Sequence, residues 1–330
     1  MQIHLSPYRV RMQVVSAVRS FFTERGFLEL QTPLLIPAPS TEPFLEVFET
    51  TLHLSSGKKQ RMFLPTSPEF AIKKLLAQGV GSCFEITKSF RNGEEITARH
   101  HPEFSILEWY HSPGTYLDVM EDTEALFQAI YSSLWPQKTE FLLSYQGNIY
   151  DLSSGWERLS VRESFERYLN LDVDTLLSSK LIDVAREKGY SVTEKTTWEE
   201  AYTQLLLNEI EPYLGKSRPT FLYDYPVSQA AFSKKSEKDP RFAERFELYL
   251  AGWELGNAFT ELTDAQEQRK RCLEDLDLRR RLGKTEIPLD EEFLQALEQG
   301  LPPTGGVAMG LDRIAALFAD VADIHEVMIA

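Results

Sequence analysis

The chain has 330 residues, 42% hydrophobic and 26% charged, the proportions of a soluble globular protein that can bury a sizeable core in one large domain or two ordinary ones. Its 35 Lys and Arg against 50 Asp and Glu give a formal charge of −15, which argues against broad, nonspecific nucleic-acid binding while leaving room for a local basic patch. No apolar run reaches the roughly eighteen residues of a membrane span, the N-terminus MQIHLSPYRVRMQ lacks a signal-peptide core, and Cys83 and Cys272 show no disulfide or metal spacing, so a cytoplasmic, membrane-free protein with reduced thiols is expected.

Taken in order, Tyr8 to Arg25 predicts an amphipathic helix: Val14, Val15, Val18, Phe21 and Phe22 recur at helical spacing, and Gly26 supplies a stop. FLELQTPLLIP follows as a strand whose Pro33 can sit only at an edge or irregular position. Phe44 to Leu54 alternates apolar and polar as a second strand, with a turn at SSGKK. Met62 to Leu64 leads into TSPEF, where Ser67 or Thr66 can cap a helix Pro68–Gln78 with proline near its first turn. Glu69, close to that helix start, can receive an ammonium group.

The stretch SFRNGEEITARHHPEFSILEWY is the densest in chemistry. An apolar run through Cys83, Phe84, Ile86 and Phe90 reads as a buried strand, followed by a polar loop holding Arg91, Asn92, Glu94, Glu95, Arg99, His100 and His101. A second strand, Phe104 to Tyr110, puts Phe104, Ile106, Glu108 and Tyr110 on one face by the two-residue period. Arginine makes planar, bidentate contacts to phosphate or carboxylate. Loop cations, an aromatic and an in-facing carboxylate therefore suit a nucleoside triphosphate and an amine-bearing substrate.

Asp118 to Leu134 is helical by pattern. The region from about 141 to 214 reads as several helices, including Val161–Tyr168 and Trp198–Glu211, and is expected to be a helical insertion without chemistry of its own. PTFLYDYPVS is a short aromatic strand and SKKSEKDPR a charged surface loop. In RFELYLAGWELGNAFTEL, Arg245 to Leu262, two strands turn at Ala251–Gly252, so Glu247 and Glu254 meet across the pair or near its turn, while Asn257, Phe259 and Glu261 share a face. Carboxylates clustered on a strand are costly unless they face water or bind cations. Magnesium, hard and oxygen-loving, is the natural partner. Ala265–Gly283 is a charged helix with a solvated face, and Glu291–Gln299 is a further helix. After the PPTGG turn, GVAMGLDRIAALFAD places glycines before a helix whose early Arg313 can reach a phosphate.

In this order the segments resemble, over nearly the whole chain, the three signature motifs of the class II aminoacyl-tRNA synthetases. PEF followed by LEWY is most similar to the lysine enzymes, and the short form resembles the paralogous group that ligates lysine or (R)-β-lysine onto elongation factor P. The resemblance implies an α+β fold, a mainly antiparallel sheet flanked by helices, in a single catalytic domain over 1–330 without an anticodon-binding domain. It implies a homodimer formed through the first helix and strand, and ATP-dependent formation of an aminoacyl-adenylate. Arg91 and Arg313 carry catalysis in this picture, and the ATP site takes Arg91, Asn92, Glu94, Arg99, His100, His101, Phe104, Glu254, Leu255, Gly310 and Arg313. Ser67, Pro68, Glu69, Glu108, Tyr110, Asn257, Phe259, Glu261 and Ala308 form the amino-acid site, and Glu247 and Glu254 hold Mg2+. Elongation factor P is the implied acceptor and tRNA is not expected; the alternatives are a stand-alone or truncated lysyl-tRNA synthetase that charges tRNA, or a catalytically inactive regulatory paralogue.

This sequence departs from the lysyl-tRNA synthetases at several points. It starts at the first-motif helix, without the N-terminal oligonucleotide-binding barrel. Ala308 stands where those enzymes tend to have glycine, as in the elongation factor group. His101 replaces an asparagine. The loop carries one additional residue near Gly93–Glu95, leaving either Glu94 or Glu95 as the ATP-contacting acid.

Overall fold

A computed structural model describes residues 5–329 of the chain. Helix α1, Leu5–Glu24, buries Val14, Val15, Ala17, Val18, Phe21 and Phe22, the stripe its spacing predicts. Strand β1 is only Leu28–Glu29, shorter than FLELQTPLLIP suggested. Past it the Thr32 N–H donates to the Glu85 carboxylate at 2.9 Å instead of extending the ladder toward Pro33. Strands β2 (Phe48–His53) and β3 (Lys59–Leu64) form a separate hairpin, and helix α2 covers Glu69–Ala77. Strands β4 (Cys83–Phe90) and β5 (Glu103–His111) flank the polar loop, and helix α3 is Tyr116–Leu134.

The region read as a helical insertion instead opens with a hairpin, β6 (Leu142–Tyr145) and β7 (Asn148–Asp151). Gln146 and Gly147 turn it at positive φ, a conformation that the QG pair tolerates and a helix does not. Strand β8, Glu157–Ser160, then joins the main sheet. Helices α4 (Val161–Leu169), α5 (Val173–Leu176), α6 (Lys180–Glu187) and α7 (Trp198–Leu205) follow and bury a cluster of their own around Phe165 and Tyr202. The remaining elements are β9 (Thr220–Pro226), β10 (Phe242–Leu250), β11 (Trp253–Thr260), α8 (Ala265–Arg281), α9 (Glu291–Gln299), β12 (Gly305–Gly310) and α10 (Leu311–Phe318).

Eight strands form the main sheet in the order β1-β4-β5-β12-β11-β10-β9-β8. The inner pairings are antiparallel, and only the edge strands β1 and β8 pair in parallel. On one face α1, α3 and α10 pack over a core in which Phe22 stacks on Phe84 and meets Trp109. Flanking the opposite side, Phe70 of α2 stacks on Phe293 of α9 with ring centroids 4.1 Å apart. The sheet surface between these layers is left open, and the motifs meet there.

Candidate active site

Strand register assembles the site. Glu108 of β5 lies opposite Ala308 of β12, which lies opposite Asn257 of β11, which lies opposite Glu247 of β10. In the next row Tyr110, Gly306, Phe259 and Arg245 follow one another in the same way. Residues far apart in sequence thus share one sheet face because the side-chain period of a strand is two.

A single cavity is lined by Ser67, Glu69, Arg91, Glu94, Arg99, His100, His101, Phe104, Glu108, Tyr110, Glu254, Leu255, Asn257, Phe259, Glu261, Ala308, Gly310 and Arg313. Three expected residues lie off its wall: Pro68, Asn92 and Glu247. Pro68 starts α2, and the Asn92 amide donates to the Val47 carbonyl at 3.3 Å, bracing the loop from behind. Of the two loop acids, Glu94 faces the cavity and Glu95 does not.

One end of the cavity is acidic. The N-cap of α2 is Pro68, not Ser67 or Thr66; Ser67 Oγ, just ahead of it, accepts the Glu69 N–H at 3.0 Å and donates to Glu108 Oε1. Tyr110 donates to Glu108 Oε2 at 3.0 Å. Burial pushes the Glu108 carboxyl up to about 8, with the nearby Glu69 charge adding to the effect. Burial likewise lifts Glu261 to about 7 against the attraction of Lys73. Arg245 Nε donates to Asn257 Oδ1 at 3.1 Å, which leaves the amide N–H2 of Asn257 for the cavity.

The other end is basic. Arg91 projects beside the Phe104 ring, 5.0 Å from its centroid, and its buried Nε has no hydrogen-bond partner among the described residues. Arg99 donates to the Gly252 carbonyl at 2.6 Å and lies over Trp253, fastening the polar loop to the β10–β11 turn. Arg313 donates to the Glu254 carbonyl at 2.7 Å. Burial, with Arg313 nearby, holds His100 below the usual imidazole range, so it is neutral at pH 7. The His101 ring nitrogen pairs with the Glu103 backbone, fixing the return of the loop into β5.

Glu247 and Glu254 do not face one another directly, because a register shift after Leu248 sets Glu254 opposite Tyr249. Glu247 receives Arg245 at 2.6 Å and the hydroxyls of Tyr225 and Tyr249 at 2.7 Å each. Glu254 faces the open cavity, and its carboxyl is raised by desolvation and by the charge of Glu247. Among the described residues no group of three His, Cys, Asp or Glu side chains is placed to hold a metal. Glu254, open to the cavity with the Glu247 charge close by, still fits Mg2+, which commonly takes one or two carboxylates and completes its shell with substrate phosphates and water; Glu247 would join it only by giving up one of its present partners.

Sequence reasoning missed Glu42, Gly306, Phe232 and Ile324, all on the cavity wall, and Lys73 behind it. Glu42 comes from the irregular segment after β1, and nothing in STEPF marks it. Lys73 had a usable signal, since it lies four residues after Glu69 on a helix.

Residues 5–329 match the family described as tRNA synthetases class II (D, K and N), and the chain belongs to that family. It is 36% identical over 321 residues to the elongation factor P–(R)-beta-lysine ligase of Hamiltonella defensa, covering 96% of this chain and 92% of that protein. It is 38% identical over 323 residues to the same-named ligase of Haemophilus influenzae, with the same coverage of 96% and 92%. A lysine–tRNA ligase of Magnetococcus marinus is 34% identical over 325 residues, 98% of this chain, which spans 63% of that relative's length.

Proposed function

We propose that the protein activates lysine or (R)-β-lysine with ATP as the aminoacyl-adenylate and transfers it to a lysine side chain of elongation factor P. The observation that carries this is one cavity with two chemically opposite ends: Glu69, Glu108 and Glu261 at one, Arg99, His100 and Arg313 at the other, and on its wall Arg91, whose buried Nε has no hydrogen-bond partner among the described residues. An acidic end suits the two ammonium groups of a diamino acid, and a basic end suits a triphosphate.

In this reading Arg91 contacts both the substrate carboxylate and the α-phosphate. The carboxylate attacks phosphorus, pyrophosphate leaves, and Arg99, His100 and Arg313 hold the outer phosphates while Phe104 stacks on adenine. Glu254 and Glu247 would hold Mg2+, which supplies charge neutralisation on the phosphates. A carboxylate nucleophile needs no general base, so positioning and electrostatics do most of the work. The acceptor amine then attacks the acyl carbon and AMP departs. We take residues 5–329 as one catalytic unit, cytoplasmic and dimeric, with exposed Leu5, Met12 and Leu28 along α1 and β1 available for a partner copy. No helix among the described residues is long and apolar enough to cross a membrane.

The lysine–tRNA ligase relative supports a second reading in which tRNA is the acceptor. One experiment separates them: labelled lysine or β-lysine with ATP is offered tRNA and elongation factor P in parallel. Label on the protein, with only traces on tRNA, is the expected result. Efficient charging of tRNA with the protein unlabelled overturns the proposal.

A further inference from the structure

Lys73 of α2 is a fully buried cation. Its side chain is 1% exposed, it does not line the cavity, and its Nζ lies 2.5 Å from Glu69 Oε1 and 2.5 Å from Glu261 Oε2. Glu69 is one helical turn away on α2, whereas Glu261 follows β11, so the ammonium clips a helix to a strand end. Burial disfavours the Lys73 cation, but Glu261 and Glu69 outweigh that penalty and hold it protonated.

The clip takes one oxygen of each carboxylate from behind. On Glu261 the other oxygen, Oε1, lies against Gly306, where an added Cβ would come within 2.1 Å. Both carboxylates reach the cavity wall, so their remaining oxygens are the ones available there. With Glu108 the acidic end holds three carboxylates in a largely buried wall, and a fourth on the cavity, Glu42, is compensated by the charge of Arg91. Three such groups without a cation would keep protons, and a protonated carboxyl is a poor acceptor for an ammonium group. Once all three carboxyls are ionised, as binding of ammonium groups requires, one internal ammonium leaves two negative charges, the number that two substrate ammonium groups neutralise. A substrate with a single amine leaves one carboxylate uncompensated, so the arrangement also selects against it.

We infer that Lys73 is a positioning and specificity residue: from behind the wall it aims Glu69 and Glu261 at the substrate and sets the pocket's charge for a doubly cationic amino acid. This rests on the proposed function. The test uses the full chain with Lys73→Met, which keeps the side chain's length without charge, and Lys73→Gln, which keeps a donor. Amino-acid affinity is measured by calorimetry at pH 6.5 and 8.5, and KM for amino acid and ATP by pyrophosphate exchange. Both variants should fold, raise the amino-acid KM tenfold or more, leave the ATP KM within twofold, and steepen the pH dependence of amino-acid binding. An amino-acid KM within twofold of wild type overturns the inference. So does a parallel rise in both KM values, or loss of folding in both variants, because either means that the ion pairs serve only the fold. Wild-type protein that exchanges pyrophosphate with no diamino acid overturns the functional reading and this one with it. A wild type that does exchange, paired with unaffected variants, overturns this one alone.

Discussion

Ser67 Oγ donates to Glu108 Oε1 at 2.5 Å, joining the segment just before α2 to a carboxylate midway along β5. That contact and the Tyr110 hydroxyl hold Glu108 in place, yet burial still keeps its carboxyl protonated up to about pH 8. An ammonium group binds the anionic form, so a diamino acid bound as proposed would displace the proton. Amino-acid affinity should therefore rise between pH 6.5 and 8.5, with net proton release on binding. The empty protein should show the opposite trend in stability. Because the folded state holds a proton that the unfolded chain gives up near the ordinary carboxylate range, stability falls as pH rises toward 8. Calorimetric titrations in two buffers of different ionisation enthalpy, with melting curves at both pH values, check both signs. Affinity that is flat across this window would count against the acidic end as the ammonium site.

Arg91 has a buried Nε with no partner among the described residues, so its removal costs the fold little. Arg91→Ala should cut ATP–pyrophosphate exchange by about two to three orders of magnitude, the scale of losing one preorganised electrostatic contact. Melting temperature and circular dichroism should barely change. Near-normal exchange in this variant would remove Arg91 from the chemistry.

Gly306 tests how closely the amino-acid pocket is fitted. A Cβ there would lie 2.1 Å from Glu261 Oε1 and 2.6 Å from the Tyr110 ring, so both must move. Gly306→Ala should destabilise the protein by roughly 1–3 kcal/mol, as overpacking does. It should also raise the amino-acid KM strongly while leaving that of ATP close to wild type. Glu261→Gln should give the same split in KM without the steric clash. Equal effects on both substrates would mean that Glu261 does not read the amino acid.

The carboxylate pair near the β10–β11 turn makes a prediction about metal. Chelation should abolish exchange, and Mg2+ should restore it. Glu254→Gln should raise the Mg2+ concentration for half-maximal rate about tenfold, the scale of losing one supporting interaction at a metal site. The amino-acid KM should stay near wild type, because Glu254 lies by Arg91 and Arg313, away from the proposed ammonium site. An unchanged Mg2+ requirement would assign the ion to other ligands.

Much of the site was legible because periodicity encodes facing. Phe104, Ile106, Glu108 and Tyr110 alternate along β5, Asn257 and Phe259 along β11, and the structure brings them into one cavity. The Ala251–Gly252 turn was equally plain, and both residues adopt positive φ there. Where the reading failed, the causes differed. β1 stopped early because the Thr32 N–H found a carboxylate on β4, and the hairpin Leu142–Asp151 lay in a stretch with no strong period.

The sequence by itself determined which residue types lie on which face of each strand and helix, because side-chain direction follows from the local backbone period. The chemical character of each motif was equally local, and the fold class followed from the resemblance of those motifs to a known family. Only the tertiary structure decided the register that sets Glu108, Ala308, Asn257 and Glu247 in one row, and the one-residue shift that turns Glu254 toward the cavity while Glu247 is held by Arg245, Tyr225 and Tyr249. It alone placed Lys73 between Glu69 and Glu261. Pairing across a sheet and charge compensation in a dry wall depend on distances between segments remote in the chain, and local pattern carries no information about those distances.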